Sequence, residues 1–278
     1  MSASADLAAL ETRVDPAEAE YRRAKRREAM RRKVLPCVGI LIGVAVWAAL
    51  VDVLKVPPFI APAPLVVLQT LVSKSDVLFS NLWPTTVEAV GGFIIGNVFA
   101  IALATLFVHR KVLSDMFFAL VVLINSIPVV AKAPILVLLL GNGFAPKIAI
   151  AAVISFFPTL VNMVRGLEAV NPQAMELMRV LSASKREIFL KLRLYNSLPY
   201  LFSALRISAS SSVVGAIVGE WIGSNYGIGA LIIQATYAFD SALLYATVLV
   251  GSALSVAFFM AISLAERLIV RWQPPAVA

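Results

Sequence analysis

The sequence has 278 residues, 60% hydrophobic and 14% charged, with a net charge of +8. Soluble domains carry about 25% charged residues, so this chain has too few to cover a water-facing surface, and composition leaves a polytopic membrane protein. One cysteine, Cys37, excludes an intrachain disulfide, and with the single histidine, His109, gives no spacing that would hold a metal.

Residues 1–33 form a polar lead in which Arg22, Arg23, Lys25, Arg26, Arg27, Arg31, Arg32 and Lys33 crowd together. Ala, Glu and Arg dominate from Pro16 onward and predict a surface helix. On a membrane protein the cluster reads as a positive-inside anchor and not as a nucleic-acid site. The first apolar run begins only near Val34 and no small-residue cleavage site follows, which argues against a secretory signal.

Residues 34–53 are long and apolar enough to span a bilayer once. The proline-rich KVPPFIAPAP cannot continue that helix. Residues 65–79 predict an amphipathic surface helix, and 84–108 a second span whose Gly91, Gly92 and Gly96 would admit a close neighbour. A third apolar region, 113–140, holds Asn125, Pro128, Lys132 and Pro134, so it should be kinked and face the protein interior. After the turn GNGFAPK, a fourth span fits 148–164, a fifth 201–218 and a sixth 243–264, with a short helix near 230–239 lying flat or re-entering. Basic residues at 109–111, across 165–193 and at Arg267 and Arg271 alternate with the spans. The chain is therefore expected to be an all-α integral membrane protein of about six spans, with both termini cytoplasmic.

Between the fourth and fifth spans lies MELMRVLSASKREIFLKLRLYNSLPY, a charged amphipathic insertion. Its apolar Leu177, Leu181, Ile188 and Leu192 fit two short helices broken near Ser182-Ala183-Ser184. Ser184 and Glu187 have the spacing of a capping box. The segment resembles the loop of permeases from binding-protein-dependent ABC importers, whose pattern is E-A-A, three residues, G, nine residues, I-x-L-P. Here Glu176-Leu177-Met178 precede Arg179-Val180-Leu181, Ser182 stands at the glycine, and Leu198-Pro199 close the match. Serine at that place suits a turn of negative φ. APAPLVVLQTL, SIPVVAKAPILVLLLG, SLPYLFSALRISASSSVVGAIVGE and GIGALI extend the likeness over about residues 58–272, and resemble the nitrate, sulfonate and taurine branch, especially its members for pyrimidine or riboflavin-type precursors.

The resemblance implies a type I ABC importer permease fold: a cytoplasmic basic segment (1–33), a transmembrane permease domain (34–272) with a coupling loop at about 166–199, and a short tail (273–278). It implies a bacterial inner-membrane protein, homodimeric or paired with a sister permease, fed by an extracytoplasmic solute-binding protein. A partner ATPase dimer carries ATP and Mg, with no cofactor on this chain. Glu176, Arg179, Ser182, Ser184, Lys185, Arg186 and Glu187 would form the ATPase-coupling loop. The implied cargo is a small polar or anionic organic solute: a sulfonate, a pyrimidine or riboflavin-like precursor, or nitrate.

Asn125, Lys132 and Glu220 are pathway or gate candidates, since ionisable residues at membrane depth are functional by default. Arg206 is expected to snorkel or to brace the loop. No G-x-x-x-x-G-K-[ST] occurs, and the glycine-rich 219–229 lacks the lysine of a phosphate loop. No catalytic constellation is expected. An ion-gradient-driven transporter is the alternative, and the expected absence of paired carboxylates inside the spans weighs against it.

Overall fold

A computed structural model of the chain describes residues 16–270; the first 15 residues of the polar lead and the expected 273–278 tail lie outside the described residues. The chain divides into two compact units, Met1–Leu65 and Val66–Ala278. In the first, the basic segment and the first apolar run form one helix, α1 (Pro16–Val53), whose stretch Val34–Val53 is long and apolar enough to cross a membrane. At about 1.5 Å per residue the whole helix is roughly 57 Å long, well beyond a hydrocarbon core of about 30 Å.

The second unit begins with α2 (Pro64–Ser73) and α3 (Ser75–His109). The expected surface helix over 65–79 is in fact two pieces: the break falls at Lys74, and the spanning helix already starts at Ser75. Pro84 sits inside α3 without ending it, because one missing N–H is tolerated where neighbouring helices pack around the site. α4 (Lys111–Ser126) and α5 (Val129–Leu140) form the expected kinked segment, bent by 99° at Ile127-Pro128. Then follow α6 (Phe144–Glu168), α7 (Pro172–Val180) and α8 (Lys185–Glu187). A π turn (Ile188–Arg193) leads from α8 without a break into α9 (Leu194–Glu220). The predicted fifth span, 201–218, is thus the inner part of a helical run from Lys185 to Glu220. Finally come α10 (Ile228–Tyr237) and α11 (Ser241–Ile269). Among the described residues, five helices are long and apolar enough to cross a membrane, or six if the bent pair counts as one span.

Helices α3, α6 and α9 make the core. Gly92 and Gly96 put bare backbone against Ala151 and Ala152 of α6, and a Cβ at either glycine would collide with that helix. In lipid, where apolar side chains gain little by leaving hydrocarbon for one another, such close backbone approach supplies much of the packing attraction. Polar side chains join the same three helices at mid-depth. The Thr159 hydroxyl donates to Asn97 Oδ1, and the Ser208 hydroxyl donates to the Ser155 carbonyl at 2.5 Å. Toward one end, Ala100, Ala104, Phe107, Leu160, Met163 and Leu167 fill the space between α3 and α6.

Candidate functional site

The core helices carry polar structure at both ends. At the end where α3 and α6 finish, α7 and α8 form the predicted helical hairpin. Asn171 caps α7, its Oδ1 accepting the Gln173 N–H at 2.8 Å, with Pro172 in the first helical position, where its missing N–H costs nothing. α7 ends in a Schellman motif: the Ser182 N–H donates to the Arg179 carbonyl and the Ala183 N–H to the Met178 carbonyl, both at 2.9 Å. This geometry needs a left-handed residue at Ser182, whose φ is +54°. The expectation of a negative φ there is therefore corrected; the serine occupies a conformation that favours glycine.

The second arm opens as predicted. The Ser184 hydroxyl accepts the Glu187 N–H at 3.3 Å, and Glu187 Oε2 accepts the Ser184 N–H at 3.0 Å and its hydroxyl at 2.9 Å. Lys191 reaches Glu187 from one turn further on. Asn196 ties the arm to the core, its Nδ2 donating to the Ala169 and Gly166 carbonyls at 2.7 and 3.2 Å. The hairpin is thus capped at three helix ends and fastened at its base. Glu176, Arg179, Lys185 and Arg186 stand exposed on it, as do Leu177 (59%), Val180 (81%) and Leu181 (67%), an apolar ridge that none of the described residues covers.

The opposite end holds the reverse arrangement. Glu220, expected as a gate candidate, is 1% exposed. Its Oε1 accepts the Thr85 hydroxyl at 2.6 Å and its Oε2 accepts the Gly229 N–H at 2.5 Å. The neighbouring amides are also taken: Ile228 N–H by Thr85 Oγ1 and Gly227 N–H by Asn81 Oδ1, each at 2.8 Å. The positive end of α10 therefore abuts a carboxylate from α9 and hydroxyl and amide groups from α3, an orientation the helix dipole favours. Gly229 is required here, because a Cβ would meet the Ile217 carbonyl and the Glu220 side chain.

Two partners in this cluster were not foreseen. Glu88 of α3 is fully buried, and neither of its carboxylate oxygens has a hydrogen-bond partner among the described residues. Lys147 of α6, 4% exposed, places Nζ 3.3 Å from Glu88 Oε1 and donates to the Ser224 hydroxyl at 2.7 Å. The predicted second span thus holds one buried carboxylate, Glu88, whose position was not foreseen. The signal was present: in TTVEAVGGF a lone acid interrupts an apolar run, which marks it as paired or functional. The cluster ties the 221–227 loop and α10 to the core at several points.

The remaining candidates lie apart from both ends. Asn125 is exposed on α4 and lines a cavity of about 180 Å³ with Val121, Ile124, Val153, Phe156 and Phe157. Lys132 is half-buried on α5 and does not line it. Arg206 does not brace the hairpin: it pairs with Glu266 of α11 at 2.5 Å and donates to the Ser203 hydroxyl at 3.2 Å. Among the described residues no group of acidic, histidine and cysteine side chains could hold a metal ion.

Residues 96–273 match the family model for binding-protein-dependent transport system inner membrane components. The formylaminopyrimidine transport permease protein ThiX of Halalkalibacterium halodurans is 32% identical over 217 residues, 78% of this chain and 87% of that one. The riboflavin transport system permease protein RibX of Chloroflexus aurantiacus is 28% identical over 240 residues, covering 85% and 89%. Among solved structures, the MetNI methionine ABC transporter in inward-facing conformations superposes with a TM-score of 0.62 at 20% identity, over 70% of this chain and 97% of that one.

Proposed function

The chain belongs to the binding-protein-dependent transport system inner membrane components, the permease components of ABC importers, and from that premise we propose how it is coupled and what it carries. The hairpin of α7 and α8 is the dock for a separate ATPase subunit. The observation that carries this is the ridge of Leu177, Val180 and Leu181, exposed on a short helix whose two ends are both capped. A lever must not bend at its joints, and the caps at Asn171, Ser182 and Ser184 stiffen those joints. An apolar ridge rimmed by charge, here Glu176 and Arg186, has the make-up of an interface core with its polar rim. Closure of an ATPase dimer on ATP would push two such hairpins, one from each permease of a two-fold pair, and through Asn196 and the π turn move α6 and α9. The hairpin end is then cytoplasmic, and the Glu88–Lys147–Glu220 end faces the solute-binding protein.

The solute is a planar heterocycle of the pyrimidine or riboflavin-like kind. The cavity beside Asn125 offers two phenylalanine rings for stacking, one amide that both donates and accepts, and no charged side chain. A sulfonate or nitrate would ask for a cation there. ThiX and RibX carry heterocycles by name, which supports the same choice.

One reconstitution tests both parts: the chain co-expressed with its ATPase and binding-protein partners, as wild type and as the Glu176→Lys, Arg186→Glu double variant. ATPase recovered with wild type and lost from an inserted, folded double variant supports the dock; equal recovery or normal uptake by the variant rejects it. Wild-type vesicles should accumulate a labelled pyrimidine or flavin, with uptake reduced by Asn125→Ala. Accumulation of a sulfonate instead, abolished by Lys132→Gln, would reassign the cargo to an anion.

A further inference from the structure

Behind the hairpin, where α3 ends, a groove of about 350 Å³ is lined by Val108, His109, Met175, Arg179, Lys185, Ile188, Phe189 and Arg193. Its floor is apolar and its rim is basic, and no acid lines it. Among the described residues, none of Arg179, Lys185 and Arg193 is engaged by a carboxylate; the nearby Glu187 is committed to Ser184 and Lys191. His109 is fixed in place. Its Nδ1 donates to the Thr105 carbonyl at 2.8 Å and its ring meets that of Phe189 at a 57° tilt, centroids 4.8 Å apart, which leaves Nε2 uncommitted.

The π turn contributes a second, independent observation. Such segments are rare, occur mostly as single-turn bulges inside α-helices, and are frequent at functional sites. Here the widened turn, closed by the Leu194 N–H donating to the Phe189 carbonyl, sets Ile188, Phe189 and Arg193 together on the groove. A regular α-helix would spread positions five apart around more than a full turn.

We propose that this groove binds a phosphate-type anion, supplied by the headgroup of an anionic phospholipid. Cations from α7, α8 and the π turn, which repel one another when the groove is empty, converge on one volume large enough for a phosphodiester. Guanidinium groups such as Arg179 and Arg193 match phosphate oxygens two at a time. The apolar floor suits the glycerol and upper acyl portion of a lipid better than a free ion, and the groove opens where a membrane-spanning helix ends, at headgroup level. A bound anion would pin the hairpin to the end of α3, so the stiffness of the lever would depend on the surrounding lipid. This reading uses the inward side of the hairpin and stands whether or not an ATPase docks on its outer ridge.

The test uses the full chain, delipidated in detergent and then returned to nanodiscs of phosphatidylcholine with or without phosphatidylglycerol. Native mass spectrometry counts retained lipid and thermal unfolding reads stabilisation, for wild type and for Arg179→Gln/Arg193→Gln. Wild type should retain phosphatidylglycerol selectively and be stabilised by it. The double variant should bind it about twenty-fivefold more weakly, since each cation near an anionic surface contributes roughly fivefold. If the double variant fails to fold, Lys185→Gln, which removes one exposed cation, should lower retention by roughly fivefold. Inorganic phosphate is the second probe. Stabilisation by phosphate but not by phosphatidylglycerol, lost in the same variants, would keep the anion site and overturn the lipid as its source. No selective retention by wild type, or equal retention by the variants, would overturn the site altogether.

Discussion

At one end of α3, α6 and α9, Glu88, Lys147 and Glu220 are each at most 4% exposed, with Lys147 Nζ 3.3 Å from Glu88 Oε1 and Glu220 held by Thr85 and the Gly229 N–H. At the other end, Glu176, Arg179, Lys185 and Arg186 are exposed, and no ion pair among the described residues engages the cations. The same helices thus carry two kinds of charge. In the buried cluster each charged group was desolvated when the chain folded, so its partners are part of the fold and the pairing is fixed. On the hairpin the charges are still hydrated, each contributes little to stability, and they remain available to something outside the chain. Exposure, not residue type, separates the charges that build this protein from those it presents to others.

The largest effect that can break this comparison comes from the buried end. Glu220→Ala removes the acceptor for Thr85 and for the Gly229 N–H, and leaves Glu88 and Lys147 with a cavity beside them. Truncating one member of such a buried network costs on the order of 3–5 kcal/mol, so the variant should unfold well below wild type in detergent or fail to accumulate. Glu220→Gln keeps the shape and an acceptor for one of the two donors, and should be intermediate. By contrast, Glu176→Gln and Arg186→Gln on the hairpin should leave thermal unfolding within about 0.5 kcal/mol of wild type, as is usual for surface substitutions. A Glu220→Ala chain as stable as wild type would mean that the cluster is not structural.

Much of this was legible in the sequence, and the part that was not has a physical cause. Hydropathy windows located the spans because hydrocarbon demands long apolar runs, and the S-x-x-E spacing announced the cap at Ser184 because that box is a local device. The helix start at Ser75 and the continuous run from Lys185 into the fifth span were missed because a helix can run on past the membrane, where apolarity no longer marks it. Gly92 and Gly96 were recognised as a close-approach face, but their partner, Ala151-Ala152 on α6, is a tertiary fact. Glu88 and Lys147 lie 59 positions apart and acquire meaning only when α3 and α6 bring them together. The sign of φ at Ser182 could have been inferred from the glycine that stands at that place in the loop pattern the segment resembles. The serine conceals it because its side chain also favours turns.

That serine gives an effect of intermediate size and opposite sign. A non-glycine residue in the left-handed region costs roughly 1–2 kcal/mol, and Ser182 has φ +54° at the C′ position of a Schellman motif. Ser182→Gly should relieve most of that strain, offset in part by the greater freedom of glycine in the unfolded chain. The net result is stabilisation by a few tenths to about 1 kcal/mol, confined to the hairpin. Hydrogen exchange at the Ala183 amide, which bonds the Met178 carbonyl, should slow. Faster exchange there would show that the turn is not strained, and that the serine contributes something the backbone does not reveal.

The smallest effect sharpens the comparison with a charge that is neither buried nor free. Asp240 lies between α10 and α11, one third exposed; its Oδ2 accepts from Lys74 Nζ at 2.6 Å and its Oδ1 caps α11 by accepting the Leu243 N–H at 3.0 Å. The Lys74 contact holds its carboxyl below the ordinary aspartate value; burial pushes the other way, and the Leu243 amide adds a lesser lowering. A carboxylate depressed in the folded state contributes stability that is fully present above its unfolded value, about 3.9. That contribution is lost as pH falls through the lower folded value. Half-exposed pairs are screened, so the contribution should be no more than about 1 kcal/mol. Asp240→Asn separates the two roles, because asparagine caps a helix as well as aspartate does but cannot pair with Lys74 as an ion. The variant should lose a few tenths of a kcal/mol at neutral pH and show a flatter acid limb below pH 4 in its unfolding profile. An unchanged acid limb would assign the acid sensitivity to other carboxylates and leave Asp240 as a cap alone. Its charge would then belong with those on the hairpin, hydrated and without structural consequence, and the division between the two ends would run through this junction as well.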